Sequence, residues 1–288
     1  MSSYSTIIAG CMSWGNWGRK FSTNEMIAQL NSSLEAGITT FDHADIYGDY
    51  TTEVQFGKAF HQSKINREDI QVVSKCGIQF IGETRNNKVG HYDYSRAYII
   101  KSVEQSLKKL QTEYLDLLLL HRPSPLMNPA EINEAISRLQ SEGKIKDFGV
   151  SNFTQSQMEL IETTNTIKVN QIEFSLTENT AMLDGTLDAM KVREITPMSW
   201  SPLGAVFKEV TEQTVRIRKV LKQLCEKYNG TEDQLLLAWL LKHPSHIHPV
   251  IGTTNRDRIV NAQKAIQIKL ELEDWFLLLK ASQGHAVP

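Results

Sequence analysis

The segment YLDLLLLHRP, residues 114–123, decides the fold. It is a short aliphatic run, as buried parallel strands are, and it stops at a histidine. Two earlier segments share that plan. ITTFDHADIYG (38–48) gives way to Asp42 and Tyr47, and QVVSKCG (71–77) gives way to Lys75. A carboxylate, a phenol, an ammonium and an imidazole therefore follow one another where apolar runs end. Parallel α/β folds build their sites at the carboxyl ends of strands, so Asp42, Tyr47, Lys75 and His121 are expected to converge at one mouth.

Outward from these segments, strand-like and helix-like stretches alternate. Candidate strands cover 6–12, 38–43, 70–75, 115–121, 145–152, 168–174, 196–201 and 248–252. Helix ends are readable between them. Ser22 with Glu25 and Thr154 with Gln157 form capping-box patterns, and Gly37 closes the first helix. Asn128-Pro129 opens another helix and Gly143 ends it. The segment 180–193 reads as the sixth crossover helix. Stretches 211–228 and 232–243 precede the last strand, and 255–265 and 272–282 finish the chain. This order predicts an α/β fold, a (β/α)₈ TIM barrel, as a single domain over residues 1–288. A doubly wound sheet is the alternative, but no Gly-x-Gly-x-x-Gly follows any strand.

The bulk numbers narrow the function. The chain has 288 residues and a formal net charge of −2, so no basic face marks nucleic acid or anionic membrane as a partner. Three cysteines without paired spacing fit a reducing compartment. The start, MSSYST, has neither a basic nor an apolar leader region, and LDLLLL and LLLAWLL are too short to span a bilayer. The expected location is cytoplasmic.

The four strand-end residues suit acid–base chemistry. A phenol carries a proton at neutral pH, and a nearby cation lowers its pKa. Lys75 is the available cation, Asp42 can hold it charged, and a neutral His121 can donate to a substrate oxygen. Together they can hold and protonate a carbonyl oxygen. No side chain supplies hydride, which calls for a nicotinamide or flavin cofactor. Any one of these residues alone is as well explained by packing or an ordinary ion pair. Four in successive strand-end positions favour function.

Later strands also end polar. Ser151, Asn152 and Gln171 can read a carboxamide, and Trp200 can stack on a flat ring. SWSPLG (199–204), with Ser201, Pro202 and Leu203, is a tight turn suited to close approach to a pyrophosphate. GTTNRDRI (252–259) opens a helix with Gly252, Thr253, Thr254 and Arg258, a ready phosphate site. Cys11 and Met12 at the end of the first strand and Asn261 in the helix after the last one complete the candidate cofactor set. His246 and His248 resemble a metal pair but fall at the start of the last strand, on the stability face of a barrel. No metal is expected. The long connection 77–97 follows the Lys75 strand. It is expected to hang over the mouth as an adaptable loop, with Phe80, His91 and Tyr92 against substrate and Trp14 as the opposing wall.

These residues resemble the aldo-keto reductase superfamily. The likeness lies in GCMSWG (10–15), FDHADIYG (41–48), VSKCG (73–77), LLLLHRP (117–123), GVSNF (149–153), NQIEFS (170–175), SWSPLG (199–204) and VIGTT (250–254). It covers nearly the whole chain and is similar to the bacterial oxidoreductase branch with the LLLLHRPxPLM run. The resemblance implies a tetrad of Asp42, Tyr47, Lys75 and His121, carboxamide contacts from Ser151, Asn152 and Gln171, and NADPH as cofactor. Trp200 stands where the family often has Tyr. Gly252 stands where some branches place a Lys for the 2′-phosphate, leaving Thr253 and Arg258 for that contact. The implied activity is reduction of a small-molecule aldehyde or ketone. Two alternatives stay open: a nucleotide-binding sensor or regulatory subunit on the same fold, and a metal-dependent hydrolase barrel.

Overall fold

In the computed structural model, which describes residues 4–163 and 165–286, eight parallel strands close on themselves. The first three residues of MSSYST, and the leader expectation that rests on them, lie outside the described residues. The elements in order are β1 Ile8–Gly10, α1 Thr23–Glu35, β2 Thr40–Asp42, α2 Tyr47–Tyr50, α3 Thr52–Ser63, β3 Gln71–Cys76, β4 Ile78–Gln79 and β5 His91–Tyr92. There follow α4 Arg96–Leu110, β6 Leu115–Leu120, α5 Pro129–Ser141, β7 Ile145–Ser151, α6 Gln155–Glu162, β8 Val169–Glu173, α7 Thr186–Val192 and β9 Thr196–Trp200. The chain ends with α8 Glu212–Tyr228, α9 Glu232–Leu241, β10 His248–Ile251, α10 Arg256–Lys264 and α11 Leu272–Gln283.

Around the barrel the order is β1-β10-β9-β8-β7-β6-β3-β2, closed by Ile8 against Val250 and by Gly10 against Asp42. All eight predicted strands are the barrel strands. The run LDLLLL shows how an unbroken apolar segment serves two layers. Leu117 and Leu119 join Ile8, Val73, Val169, Met198 and Val250 inside the barrel. Leu118 and Leu120 pack outward in the larger core under the helices, a cluster that Leu115 also joins. Each fully buried leucine is worth about 1.5–3 kcal/mol. The one carboxylate in that run, Asp116, is compensated: it accepts from Arg67 at 2.7 Å, from the Val72 amide at 2.9 Å and from Lys146 at 3.0 Å.

Capping follows the predicted residues. Ser22 and Glu25 cap α1 reciprocally, and Thr154 and Gln157 do so for α6. Asn128 caps α5, whose first residue is Pro129, and Gly143 turns away at φ +68°. LLLAWLL lies in the buried helix α9, where the Trp239 ring stacks on Trp275 at 4.9 Å. Among the described residues, no helix is long and apolar enough to cross a membrane.

Two expectations need correction. The single helix expected over 180–193 is a 3₁₀ turn, Thr180–Met182, and the short α7. They are separated at Gly185, whose φ of +85° interrupts the helix. The connection 77–97, expected as an adaptable loop, contains a short hairpin tied down at its turn. β4 and β5 pair antiparallel, Gln79 opposite His91, and Asp49 accepts from the Thr84 amide at 3.1 Å and its hydroxyl at 3.0 Å.

Candidate active site

The barrel register brings the four strand-end residues together. Asp42 ends β2 and Lys75 is the fifth residue of β3. His121 follows β6, and its amide donates to Cys76 O at 2.9 Å. Tyr47 is presented by a tight turn. Gly48 and Asp49 both have left-handed φ, +61° and +57°. A Cβ at Gly48 would lie 2.5 Å from Thr52 Oγ1, so that close turn requires glycine.

Lys75 Nζ spends all three of its donors here. It donates to Asp42 Oδ2 at 2.7 Å, to His43 O at 2.8 Å and to Tyr47 Oη at 3.0 Å. Asp42 keeps its other oxygen for Gln171 Nε2 at 2.9 Å, a contact across 129 residues of sequence. Lys75 is 1% exposed. Burial pulls its pKa down, but Asp42 and Tyr47 outweigh it and the net shift is upward. A buried ammonium with this many acceptors stays charged.

The Tyr47 phenol behaves differently from the simple expectation. Burial raises its pKa, and the Lys75 charge opposes that rise without cancelling it. The phenol therefore holds its proton at neutral pH, and Lys75 restores part of the acidity that burial removes. His121 is pushed well below the ordinary histidine range by burial, then by Lys75 and Arg122. It is a neutral ring, 6.1 Å from the Tyr47 ring, and its buried Nδ1 has no partner among the described residues. Behind this group His43 is also buried and neutral, its pKa lowered to about 3 by burial and by Lys75.

The candidate cofactor residues lie at the ends of β7 to β10, with Met12 and Cys11 beside them. Trp200 Nε1 donates to Asn152 Oδ1 at 3.0 Å, and both Asn152 and Ser201 are left-handed, φ +58° and +51°. Ser201 O accepts from the Gly204 amide at 2.8 Å, closing the turn that holds Pro202 and Leu203. Gly252 is exposed, and a Cβ there would meet nothing within 4 Å, so the backbone can be approached closely. Asn255 caps α10 through the Arg258 amide at 3.1 Å, Thr253 Oγ1 accepts from the Asn255 amide, and Arg258 itself is exposed. Thr254 and Asn261 are half-buried beside them.

Other candidates are placed less openly. Ser151 is sealed: its hydroxyl donates to Gln171 O at 2.9 Å and accepts from Arg122 at 3.0 Å. The one Ser151 proton is thereby committed to the Gln171 carbonyl. Cys11 has no exposed surface, and burial raises its thiol pKa well above the usual value. Its amide donates to Asp42 O at 2.9 Å, and its sealed side chain offers a ligand no contact. Met12, by contrast, is exposed.

The substrate wall is where sequence reading errs. Trp14 is 1% exposed and packs against Phe21, Phe41 and Phe56, so it belongs to the core and cannot face the mouth. Trp17 takes that place. It is 46% exposed, 6.3 Å from the Tyr47 ring and 5.8 Å from Phe80. Phe80 does reach the mouth and stacks on Tyr50 at 5.4 Å. His91 and Tyr92 do not join them. His91 is exposed and held by Val89 O, and Tyr92 lines a separate groove with Leu126 and Asn128. His248, one of the set-aside histidine pair, bonds Ser5 O at 2.9 Å at the opposite end of the barrel.

Arg122, like Trp17, stands beside the site and was not singled out from the sequence. Its guanidinium bonds His121 O at 2.6 Å and Ser151 Oγ, and lies 5.6 Å from the Trp200 ring. The signal was its place directly after the strand-end histidine.

The sequence matches the family model described as "Aldo/keto reductase family" over residues 6–281. It is 41% identical to "Uncharacterized oxidoreductase YcsN" of Bacillus subtilis (strain 168), covering 99% of this chain and 96% of that one. It is 36% identical to a "6-dehydroglucose reductase" of Agrobacterium fabrum, covering 90% and 88%. A crystal structure of the thermostable aldo-keto reductase Tm1743, in complex with the inhibitor epalrestat, superposes with a TM-score of 0.80 at 26% identity, covering 96% of this chain and 94% of that one.

Proposed function

The chain belongs to the aldo/keto reductase family, and from that premise we propose that it reduces an aldehyde or ketone with NADPH, using Tyr47 as the proton donor. The family and its oxidoreductase relatives make it an oxidoreductase acting on small carbonyl compounds. The observation that carries the finer reading is the saturated Lys75 ammonium, bonded at once to Asp42 and to the Tyr47 hydroxyl.

The residues present fit a nicotinamide dinucleotide. Trp200 offers a half-buried ring face, the Ser201–Gly204 turn is closed, and Gly252 leaves open space before an exposed helix N-terminus and Arg258. Trp200 would stack on the ring, and Thr253 and Arg258 would take the 2′-phosphate. When bound, the reduced cofactor supplies the hydride that no side chain can.

The chain's own residues do the rest. His121, neutral and with Nδ1 unpartnered, donates from Nε2 to the carbonyl oxygen. Tyr47 Oη transfers its proton to that oxygen as negative charge builds there. The phenolate left behind is held by Lys75, and Asp42 fixes Lys75 and keeps it charged. Trp17 and Phe80 form an aromatic wall over the carbonyl-bearing carbon chain. The 36% likeness to a protein named for 6-dehydroglucose puts oxidised sugars first in a substrate panel.

The test is Tyr47→Phe, which removes the transferable proton and keeps the ring. NADPH oxidation with a carbonyl panel should fall by orders of magnitude while NADPH binding, followed by fluorescence, stays near wild type. A variant that keeps most of its turnover, with chemistry rate-limiting, overturns the assignment. Binding of NADPH without turnover of any carbonyl by the unaltered protein would favour the sensor reading instead.

A further inference from the structure

Away from the mouth, a surface pocket of about 390 Å³ is lined by Tyr50, Thr84, Arg85, Gln105, Lys108 and Lys109. Three of these six are cations, from two separate elements. Lys108 and Lys109 stand in the last turn of α4, where positive charge offsets the helix dipole. That accounts for the lysines and not for Arg85, which arrives from the β4–β5 connection. Its guanidinium lies over the Tyr50 ring at 4.1 Å and is tethered by Gln79 Oε1 at 3.4 Å.

The charges converge with little compensation. Lys109 has one distant partner, the buried Glu53 at 3.9 Å. Among the described residues, no carboxylate lies within ion-pair distance of Arg85 or Lys108. Asp49, the neighbouring acid, is turned to the amide and hydroxyl of Thr84. Cations gathered in a concave site repel one another unless an anion joins them.

We propose that this pocket binds a phosphate-type oxyanion, held by Arg85, Lys108 and Lys109 with Gln105 as a neutral donor. An arginine fork beside lysine point charges suits a tetrahedral anion. The site is distinct from the expected 2′-phosphate contacts of the cofactor. α4 packs between α3 and α5, whereas α10, which carries Arg258, packs against α1 and α9.

The pocket is also mechanically joined to the mouth. Tyr50 stacks on Phe80, Phe80 meets Trp17, and Trp17 meets Tyr47. An anion that fixes Arg85 over Tyr50 steadies the hairpin that carries Phe80. Two sources share this chemistry: free inorganic phosphate, and the phosphoryl group of a larger phosphorylated compound.

The deciding experiment titrates inorganic phosphate into the full chain by calorimetry, at constant ionic strength made up with chloride. Saturable binding is expected. It should weaken at least tenfold in the double variant Arg85→Gln/Lys108→Gln, with an unchanged circular dichroism spectrum, and stay unchanged in Arg258→Ala. Absence of saturable binding, equal affinity in the double variant, or loss in Arg258→Ala instead overturns the proposal. None of these readouts needs turnover, so failure of the reductase reading is separable. Kinetics then identify the source. If the phosphoryl group of a larger compound is bound, glucose 6-phosphate shifts the KM for glyceraldehyde in the wild type at concentrations where inorganic phosphate does not, and has no effect in the double variant. If free phosphate is bound, added phosphate shifts the KM for glyceraldehyde in the wild type alone.

Discussion

Asp45 should make the fold lose stability as pH rises, and Asp45→Asn should remove that loss. The carboxylate is 3% exposed, one of its oxygens accepts from Ser102 and Tyr98, and the other has no partner among the described residues. Burial, and then the neighbouring Glu53, push its pKa from an ordinary 3.8 up to about 7. A group whose folded pKa is raised contributes stability in its protonated form. That contribution is fully present below the unfolded value and disappears as pH climbs through the folded one. At about 1.4 kcal/mol per pH unit, the rise amounts to about 4 kcal/mol over the whole window. Between pH 5 and pH 8 it comes to roughly 2–3 kcal/mol. Asparagine has the same shape, keeps partners for Ser102 and Tyr98, and does not titrate. A domain of this size shifts by about 2–4 °C per kcal/mol, so the Tm of Asp45→Asn should gain roughly 5–10 °C on the wild type between those pH values. Differential scanning at matched ionic strength reads the gap directly. A gap that stays constant within a degree, or narrows, would refute the account of Asp45 as a buried acid held protonated.

Three further outcomes follow from the site. Lys75→Met and Asp42→Asn should each lower kcat by orders of magnitude, and the double variant should lose far less than the sum of the two, because the pair acts as one unit; strictly additive losses in steady-state kinetics count against it. Arg258→Ala should raise Kd for NADPH tenfold or more with little effect on NADH, since only NADPH carries the 2′-phosphate; equal effects on both in fluorescence titration remove Arg258 from that role. Trp17→Ala should reorder the KM values of a carbonyl panel at unchanged Tm, whereas Trp14→Ala should lower stability by about 3–5 kcal/mol in urea unfolding; the opposite pattern would return Trp14 to the mouth.

How far the sequence carried the fold and the site depends on where each signal lives. The barrel was legible because each strand is an apolar run with a polar stop, and the stops are what the barrel register aligns. Lys75 pairs with Leu119 across β3 and β6, so the polar residue after β6, His121, must stand beside it. Asp42 ends the strand on the other side of β3. The tetrad was therefore visible as a consequence of strand ends. The Gln171–Asp42 contact was not, because nothing in local sequence joins residues 129 apart until the barrel closes. The β4–β5 hairpin escaped detection for the opposite reason: strands of two residues are too short to show a period. Trp14 and Trp17 show the limit most clearly. Both follow β1 in one polar, glycine-rich stretch, and no periodicity ranks them. The backbone decides between them. The Trp14 amide donates to Cys11 O and its carbonyl accepts from the Phe21 amide, which folds the segment back on itself. That return packs Trp14 onto Phe41 and Phe56 and leaves Trp17 at the outer bend, where Tyr47 and Phe80 are its neighbours. A substrate wall set by a turn of this kind can be altered without touching the barrel, since the side chain that faces the mouth is not one that holds the core.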